Sequence, residues 1–147
     1  MAIVRSAGTE IIRSIQMANI ASADKAIIIG EQHHIYTVLS IIVHAESVAT
    51  AGNFIHCYFT GYDSNATSAA TIHLFKQDMQ THQTFVWNDK FSFNGTSPTD
   101  FATGLDATKQ DALADQGDTT SQKIWVVGEN ASDNFDVFCT LIAQNNA

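Results

Sequence analysis

The sequence is short of charge, of proline and of cysteine. Only 15% of its 147 residues are charged, one is proline and two are cysteine, whereas 45% are hydrophobic. A chain of this length buries about 70% of the surface that it exposes when unfolded, so it can fold without disulfides or metals. With so few charges, its surface must consist largely of hydroxyl, amide and apolar groups. Such a surface is typical of proteins that stay in contact with other proteins.

Basic residues and long apolar runs are scarce as well. Seven Lys and Arg stand against fifteen Asp and Glu, and the formal net charge is −8. Nucleic acids and anionic membranes select basic patches, so we expect neither as a partner. No apolar run approaches the ~20 residues of a spanning helix. Residues 1–6 lack the apolar segment of a signal peptide, so we expect synthesis in the cytoplasm.

The two cysteines, Cys57 and Cys139, are far apart and have no metal-type spacing. Both fall on the apolar parity of predicted strands, so we expect buried free thiols. A disulfide between them would require that their strands lie face to face.

Short segments of alternating polarity recur between turn signals along the whole chain. This pattern predicts an all-β fold, an antiparallel β-sandwich of the jelly-roll or immunoglobulin-like kind, as a single domain over residues 1–147. An N-terminal arm or edge strand occupies about 1–24. The predicted strands cover 9–13, 26–30, 35–46, 53–62, 71–76, 84–87, 90–93, 122–127 and 135–143.

Alternation also predicts which side chains enter the core. The inward set is Ile35, Leu39, Ile41, Val43, Ile55, Cys57, Phe59, Phe135, Val137, Cys139 and Leu141. In the fifth of these strands, Ile72 and Leu74 lie on one face and His73 and Phe75 on the other. The outward set in the two longest strands is Tyr36, Ser40, His44, Glu46, Phe54, His56, Tyr58 and Tyr62.

One stretch breaks the β pattern. Residues 106–116 are rich in helix formers, begin with an N-cap aspartate and are followed by Gly117. We predict one short helix there, within an excursion over about 97–120. Five aspartates of this region share it with Lys109 alone, which indicates either a solvated acidic flank or a surface for a basic partner.

Six histidines raise the question of metal binding and catalysis. His44, His56 and His73 share the outward parity of three successive strands, so they would converge on one sheet face if those strands were neighbours. Only Glu46 is placed to orient such a ring, and we therefore expect no metal and no cofactor. The nucleophile elbow, zinc-protease, P-loop, dinucleotide and EF-hand motifs are all absent, so we expect no catalytic residues and no enzyme.

We interpret the outward rings as a partner interface, since aromatic residues are frequent in buried protein contacts. The predicted interface consists of Tyr36, His44, Phe54, His56, Tyr58, Tyr62, His73 and Phe75. His33, His34 and His82 fall in predicted loops, where their titration near pH 6.5 would make assembly sensitive to acid.

The order of features from Ile35 onward resembles a known family. IYTVLSIIVHAE is followed by a strand with alternating aromatics, by TIHLFK, by the hairpin-like block QTFVWNDKFSFNG over 83–95, and by DVFCTLIAQ. This resembles small β-sandwich virion structural proteins of tailed bacteriophages, with matches at Thr84, Val86, Asp89, Lys90 and Gly95. The stretch VRSAGTEIIRS is similar to the start of virion proteins from marine and cyanobacterial phages. The excursion departs from the pattern.

The resemblance implies a capsid decoration or cement protein, located in the virion. Such a protein binds the major capsid protein or another virion protein and associates with itself, and family analogy implies a trimer. One alternative is a tail or head–tail structural protein. Another is a receptor- or carbohydrate-binding module that uses Trp87 or Trp125 as a stacking platform, although both lie in predicted strands, where packing is the simpler interpretation.

Overall fold

The computed structural model describes residues 8–63, 68–96 and 120–145. The described part folds into nine strands. They are β1 (Glu10–Ile20), β2 (Lys25–Ile29), β3 (His34–Ser47), β4 (Phe54–Asp63), β5 (Ser68–Asp78), β6 (Thr84–Trp87), β7 (Phe91–Asn94), β8 (Lys123–Gly128) and β9 (Asn134–Asn145).

The strands form two antiparallel sheets, which confirms the predicted all-β sandwich. The five-stranded sheet has the order β1-β9-β3-β6, with β7 also paired to β3, and the four-stranded sheet has the order β2-β8-β4-β5. The chain changes sheet at nearly every connection, and β4–β5 is the one pair of consecutive strands that are hydrogen-bonded neighbours in the described part. β1 is an edge strand, as predicted, and is longer than the expected 9–13.

The helix predicted near 106–116 lies outside the described residues, as does the excursion up to residue 119. The described residues contain no helix, and so none that is long and apolar enough to cross a membrane.

The core lies between the two sheets and is built from the inward positions of the central strands. Ile41 and Val43 of β3 are fully buried, as are Ile55 and Cys57 of β4 in the opposite sheet. The inward set of β9 is also buried as predicted: Phe135, Val137, Cys139 and Leu141. Both cysteines are buried free thiols. Burial raises the pKa of Cys139 to about 12. Burial also raises the pKa of Cys57, by more, and the neighbouring Cys139 raises it further.

A β-bulge in β3 corrects the parity predicted for its first half. The register to β9 pairs Val38 with Leu141 and Ser40 with Thr140, so Leu39 is the extra residue. A bulge reverses the alternation on one side of it. Tyr36 is therefore 2% exposed and in the core rather than on the outer face, whereas Leu39, which we expected to point inward, is half-buried.

A second bulge corrects the position of Phe75. Cys57 pairs with Phe75 and Tyr58 with His73, so Leu74 is the extra residue of β5. Phe75 thus shares the inner face with Cys57, and its ring centroid lies 5.1 Å from that of Phe85. The prediction that Phe75 accompanies His73 on the outer face is wrong.

The resemblance also implies a hairpin over 83–95, and this expectation is wrong. β6 and β7 both pair with β3, β6 along Ile41–His44 and β7 along Ile35–Val38. They form one edge strand that is interrupted opposite the bulge of β3. The rings that flank the interruption are not a free platform, because Trp87 packs against Phe75 and Phe91 at centroid distances of 5.9 Å each.

Two features hold the ends of the sandwich together. At one end a Cβ added to Gly30 would meet the carbonyl oxygen of Gly95 at 1.9 Å, so glycine is required where these backbones cross. At the other end the buried carboxylate of Asp133 accepts hydrogen bonds from the Ala49 and Asn130 N–H groups and from the Asn53 amide. It thereby joins the β3–β4 loop to the turn before β9.

Candidate functional site

The outer face of the four-stranded sheet carries rings and cations. Every second side chain of β4 points away from the core, because Ile55 and Cys57 point into it. The outward residues of β5 and β8 lie beside them in register. We call this surface the His-aromatic face. Its members are Phe54, His56, Tyr58, His73, Lys76, Lys123 and Trp125.

A histidine pair lies in the middle of the His-aromatic face. Nε2 of His56 is 2.6 Å from Nδ1 of His73 while the ring centroids are 4.7 Å apart, so the rings meet edge to edge through their nitrogens. One nitrogen must donate its N–H and the other must accept. Burial lowers the pKa of His56, and so do His73 and Lys76, whereas Asp24 raises it.

The three histidines considered as metal ligands do not converge. His44 lies on β3 in the five-stranded sheet, where its Nδ1 is 2.9 Å from Oγ1 of Thr84. His56 and His73 lie on the opposite outer surface of the sandwich. Among the described residues no group of three or more His, Cys, Asp and Glu side chains could hold a metal ion. A metal site shared by the three histidines required three neighbouring strands, and of β3, β4 and β5 only β4 and β5 are neighbours.

Two lysines lie over aromatic rings of this face. Nζ of Lys76 lies 3.8 Å from the ring centroid of Phe54, and Nζ of Lys123 lies 5.6 Å from that of Trp125. Trp125 in turn stacks on Tyr58 with the rings inclined by 13°. Burial raises the pKa of Tyr58, and so does Asp24, whose carboxylate accepts its hydroxyl hydrogen bond. The rings of this face are therefore engaged with one another and with their own cations.

The outer face of the five-stranded sheet is different in character. Cross-strand neighbours on it include Ile42 beside both Phe138 and Val86, and Ile12 beside Ile142. Ile12 is 70% exposed and Val86 is 52% exposed. We call this surface the apolar face. Its members are Ile12, Ile42, Val86, Phe138 and Ile142, with His44 and Asp136 as neighbours at one end.

A shallow depression lies on the apolar face. It has a volume of about 450 Å³ and is lined by Gln16, Ile42, His44, Asp136 and Phe138, among others. Apart from His44, the only ionisable side chain among these is that of Asp136, whose Oδ1 accepts a hydrogen bond from the Asn19 N–H. Asp136 is the cross-strand neighbour of His44, whose Nδ1 lies 2.9 Å from Oγ1 of Thr84.

The predicted interface residues are thus divided among three places. Phe54, His56, Tyr58 and His73 lie on the His-aromatic face, and Tyr62 has the same parity on β4. His44 lies on the apolar face, and Tyr36 and Phe75 lie inside the sandwich. Sequence reasoning missed the apolar face, although Ile41, Ile42 and Val43 gave a signal: consecutive apolar residues in a strand indicate two apolar faces.

No protein-family model and no curated protein matches the chain. Solved structures with a related arrangement of strands include that of Bacillus endospore appendages, described as disulfide-linked pili. It is 10% identical, with a TM-score of 0.45, over 100% of this chain and 97% of that chain. Two structures of infectious bursal disease virus, of the Gt strain and of the T13 particle, are each 10% identical, with TM-scores of 0.48 and 0.42. The alignments cover 99% of this chain but 34% and 37% of the viral chains. With TM-scores below 0.5, these likenesses carry no argument about function.

Proposed function

We propose that this chain is a structural subunit of a virion, namely a capsid decoration or cement protein of a tailed bacteriophage. In this role it associates with itself and binds the major capsid protein or another virion protein. The observation that carries the proposal is the apolar face, where Val86 stands exposed in the row of Ile42 and Phe138, and Ile12 stands exposed beside Ile142. A large uncovered apolar patch marks a site of protein contact.

The strand order supports this proposal. If β6 and β7 are counted as one interrupted strand, the two sheets each hold four strands in the orders 1-9-3-(6,7) and 2-8-4-5. We interpret this order as a double-sheet jelly roll, in which the first strand pairs with the last. Immunoglobulin-type sandwiches have different sheets, ABED and CFG. Jelly rolls serve as capsid and lectin domains and as cupins.

The content of the surfaces narrows the choice among these uses. A cupin-type role would require a cluster of metal ligands, and the described strands hold no such cluster. The resemblance of the sequence to phage virion proteins supports the capsid role over the others. The proposal includes a location in the virion and a non-enzymatic role. Its nearest variants place the chain in the tail or at the head–tail connection.

Purified particles provide the test. We expect mass spectrometry of density-banded particles from the source culture to find this chain in a fixed ratio to the major capsid protein. Particles stripped of the chain should rebind the purified protein in a cosedimentation assay. Absence of the chain from banded particles, together with its recovery from the soluble fraction, would contradict the proposal.

A glycan-binding role is the second candidate, and Trp125 is the observation that favours it. Its indole is half-buried on the outer surface, beside Tyr58 and Lys123, in the kind of position from which a ring can stack on a sugar. Binding to a glycan array that is lost in Trp125→Ala, with the fold retained by circular dichroism, would support this role.

A further inference from the structure

The apolar face has an internal order that indicates what covers it. A row here is the set of side chains that lie opposite one another on neighbouring strands. On the central strands β9 and β3 the register gives the rows Ile142 with Thr37, Thr140 with Ser40, Phe138 with Ile42, and Asp136 with His44. Three of the five rows hold two residues of matched character: hydroxyl with hydroxyl, apolar with apolar, and acid with base. The other two rows, Ile142 with Thr37 and Gln144 with Ile35, are mixed.

We propose that a second copy of this chain covers the apolar face, related by a two-fold axis that runs parallel to the strands between β3 and β9. This inference rests on the self-association in the proposed function and specifies its geometry. A two-fold axis in this direction places β3 of one copy over β9 of the other, row on row. It brings Ile42 over Phe138 and His44 over Asp136 of the second copy, and the reciprocal contacts form at the same time.

The other in-plane axis, perpendicular to the strands, makes a poorer contact. It would place β3 over β3 and exchange the two ends of the face. His44 would then lie over Ile35 rather than over an acid, and Phe138 over Ile142. A three-fold arrangement does not pair rows reciprocally at all, so a two-fold pair replaces the trimer implied by family analogy. Charge and apolar complementarity therefore select the first axis.

The size of the face fits a specific but weak dimer. Four strands at about 4.8 Å spacing and five rows at about 6.8 Å give on the order of 650 Å² per copy, or about 1,300 Å² in total, near the lower limit of specific interfaces. Sheets packed face to face align within about 30°, so the central rows stay in contact while the corners separate. We expect association in the micromolar range.

Cysteine crosslinking between chains tests the axis directly. Ser40 and Thr140 form the middle row and are both half-buried on the outer face. Under the proposed axis, a mixture of Ser40→Cys and Thr140→Cys forms a disulfide-linked dimer under mild oxidation, whereas each variant alone does not. The native cysteines are buried and serve as the background control in the unmodified chain. Crosslinking of Ser40→Cys with itself would overturn the proposal, because it reports the perpendicular axis.

Sedimentation of the unmodified protein gives an independent readout. Between about 1 and 200 μM we expect a shift from the 16.0 kDa chain toward twice that mass. Phe138→Asp should weaken the association by about tenfold or more, since it removes a central aromatic contact. Thr71→Lys, an exposed position of β5 on the opposite sheet, is the matched control and should leave association unchanged. Circular dichroism verifies the fold of each variant.

The outcomes separate this inference from the proposed function. A chain that stays monomeric throughout this range yet copurifies with particles overturns the two-fold pair and leaves the virion role standing. A dimer with the expected crosslink in a chain absent from particles supports the pair and contradicts the virion role.

Discussion

Val38 and Leu39 are adjacent in β3, and the β-bulge at Leu39 reverses which of the two side chains is buried. Val38 is 0% exposed and faces the core, whereas Leu39 is the extra residue of the bulge and is half-buried. Strict alternation over 35–46 gives the opposite assignment. The pair Val38→Ala and Leu39→Ala therefore tests the bulge with each substitution as the control of the other.

The expected loss follows from the groups removed. Val38→Ala deletes two buried methyl groups, at about 0.8 kcal/mol each in transfer free energy. A residual cavity of about 25–50 Å³ adds on the order of 0.6–1.2 kcal/mol at about 24 cal/mol per Å³. We expect the free energy of unfolding to fall by about 2–3 kcal/mol for Val38→Ala. For Leu39→Ala we expect a loss of under about 1 kcal/mol, because its side chain already contacts solvent.

Urea denaturation followed by tryptophan fluorescence measures both losses. With a slope of about 2 kcal/mol/M, Val38→Ala should lower the midpoint by about 1–1.5 M and leave the slope unchanged. A larger loss for Leu39→Ala than for Val38→Ala would refute the bulge and restore strict alternation through β3.

Three further predictions concern buried or coupled polar groups. The pKa of His56 is lowered in the fold, so the unfolded chain binds more protons below about pH 6.5. The free energy of unfolding should therefore fall as the pH falls from there toward the lowered pKa. His56→Asn should lose this pH dependence in urea titrations, and an unchanged dependence would contradict the lowered pKa of His56. Asp133→Asn should lower the free energy of unfolding by about 2–3 kcal/mol, because a charged acceptor of several hydrogen bonds is lost. The exposed Asp78→Asn is the control in the same melts, and equal losses would show that the hydrogen bonds of Asp133 do not stabilise the fold. Cys57 and Cys139 should not react with a thiol reagent at pH 8 until guanidinium unfolds the chain, because burial raises both pKa values; rapid labelling of the folded protein would show that the thiols are accessible.

The strands themselves could be predicted from the sequence, because alternation is a local property. β4 and β9 have the expected inward sets, and their bounds differ from the predicted ones by one or two residues. The bulges could not be predicted, because Leu39 and Leu74 are apolar and continue the hydrophobic pattern through the insertion. Each bulge moved one aromatic residue, Tyr36 or Phe75, from the predicted outer face into the core.

Pairing between strands could not be predicted either, because it depends on contacts far apart in sequence. β6 and β7 flank a turn-forming Asn88-Asp89, yet each pairs with β3 rather than with the other. For the same reason, the sequence did not reveal that His44 lies apart from His56 and His73. Successive strands β3 and β4 belong to different sheets, so equal parity places their outward residues on opposite surfaces.

The two outer faces differ in whether the chain covers its own apolar surface. On the His-aromatic face, the stems and charges of Lys76 and Lys123 lie over Phe54 and Trp125, and long basic side chains of this kind shield apolar surface while their charges stay in water. The chain itself thus shields part of the apolar surface of that face. The apolar face has no lysine or arginine among its members, and Ile12 and Val86 remain exposed. In the proposed two-fold pair the five-stranded sheets meet and the four-stranded sheets face outward, so substitutions on the apolar face should impair self-association while those on the His-aromatic face should not.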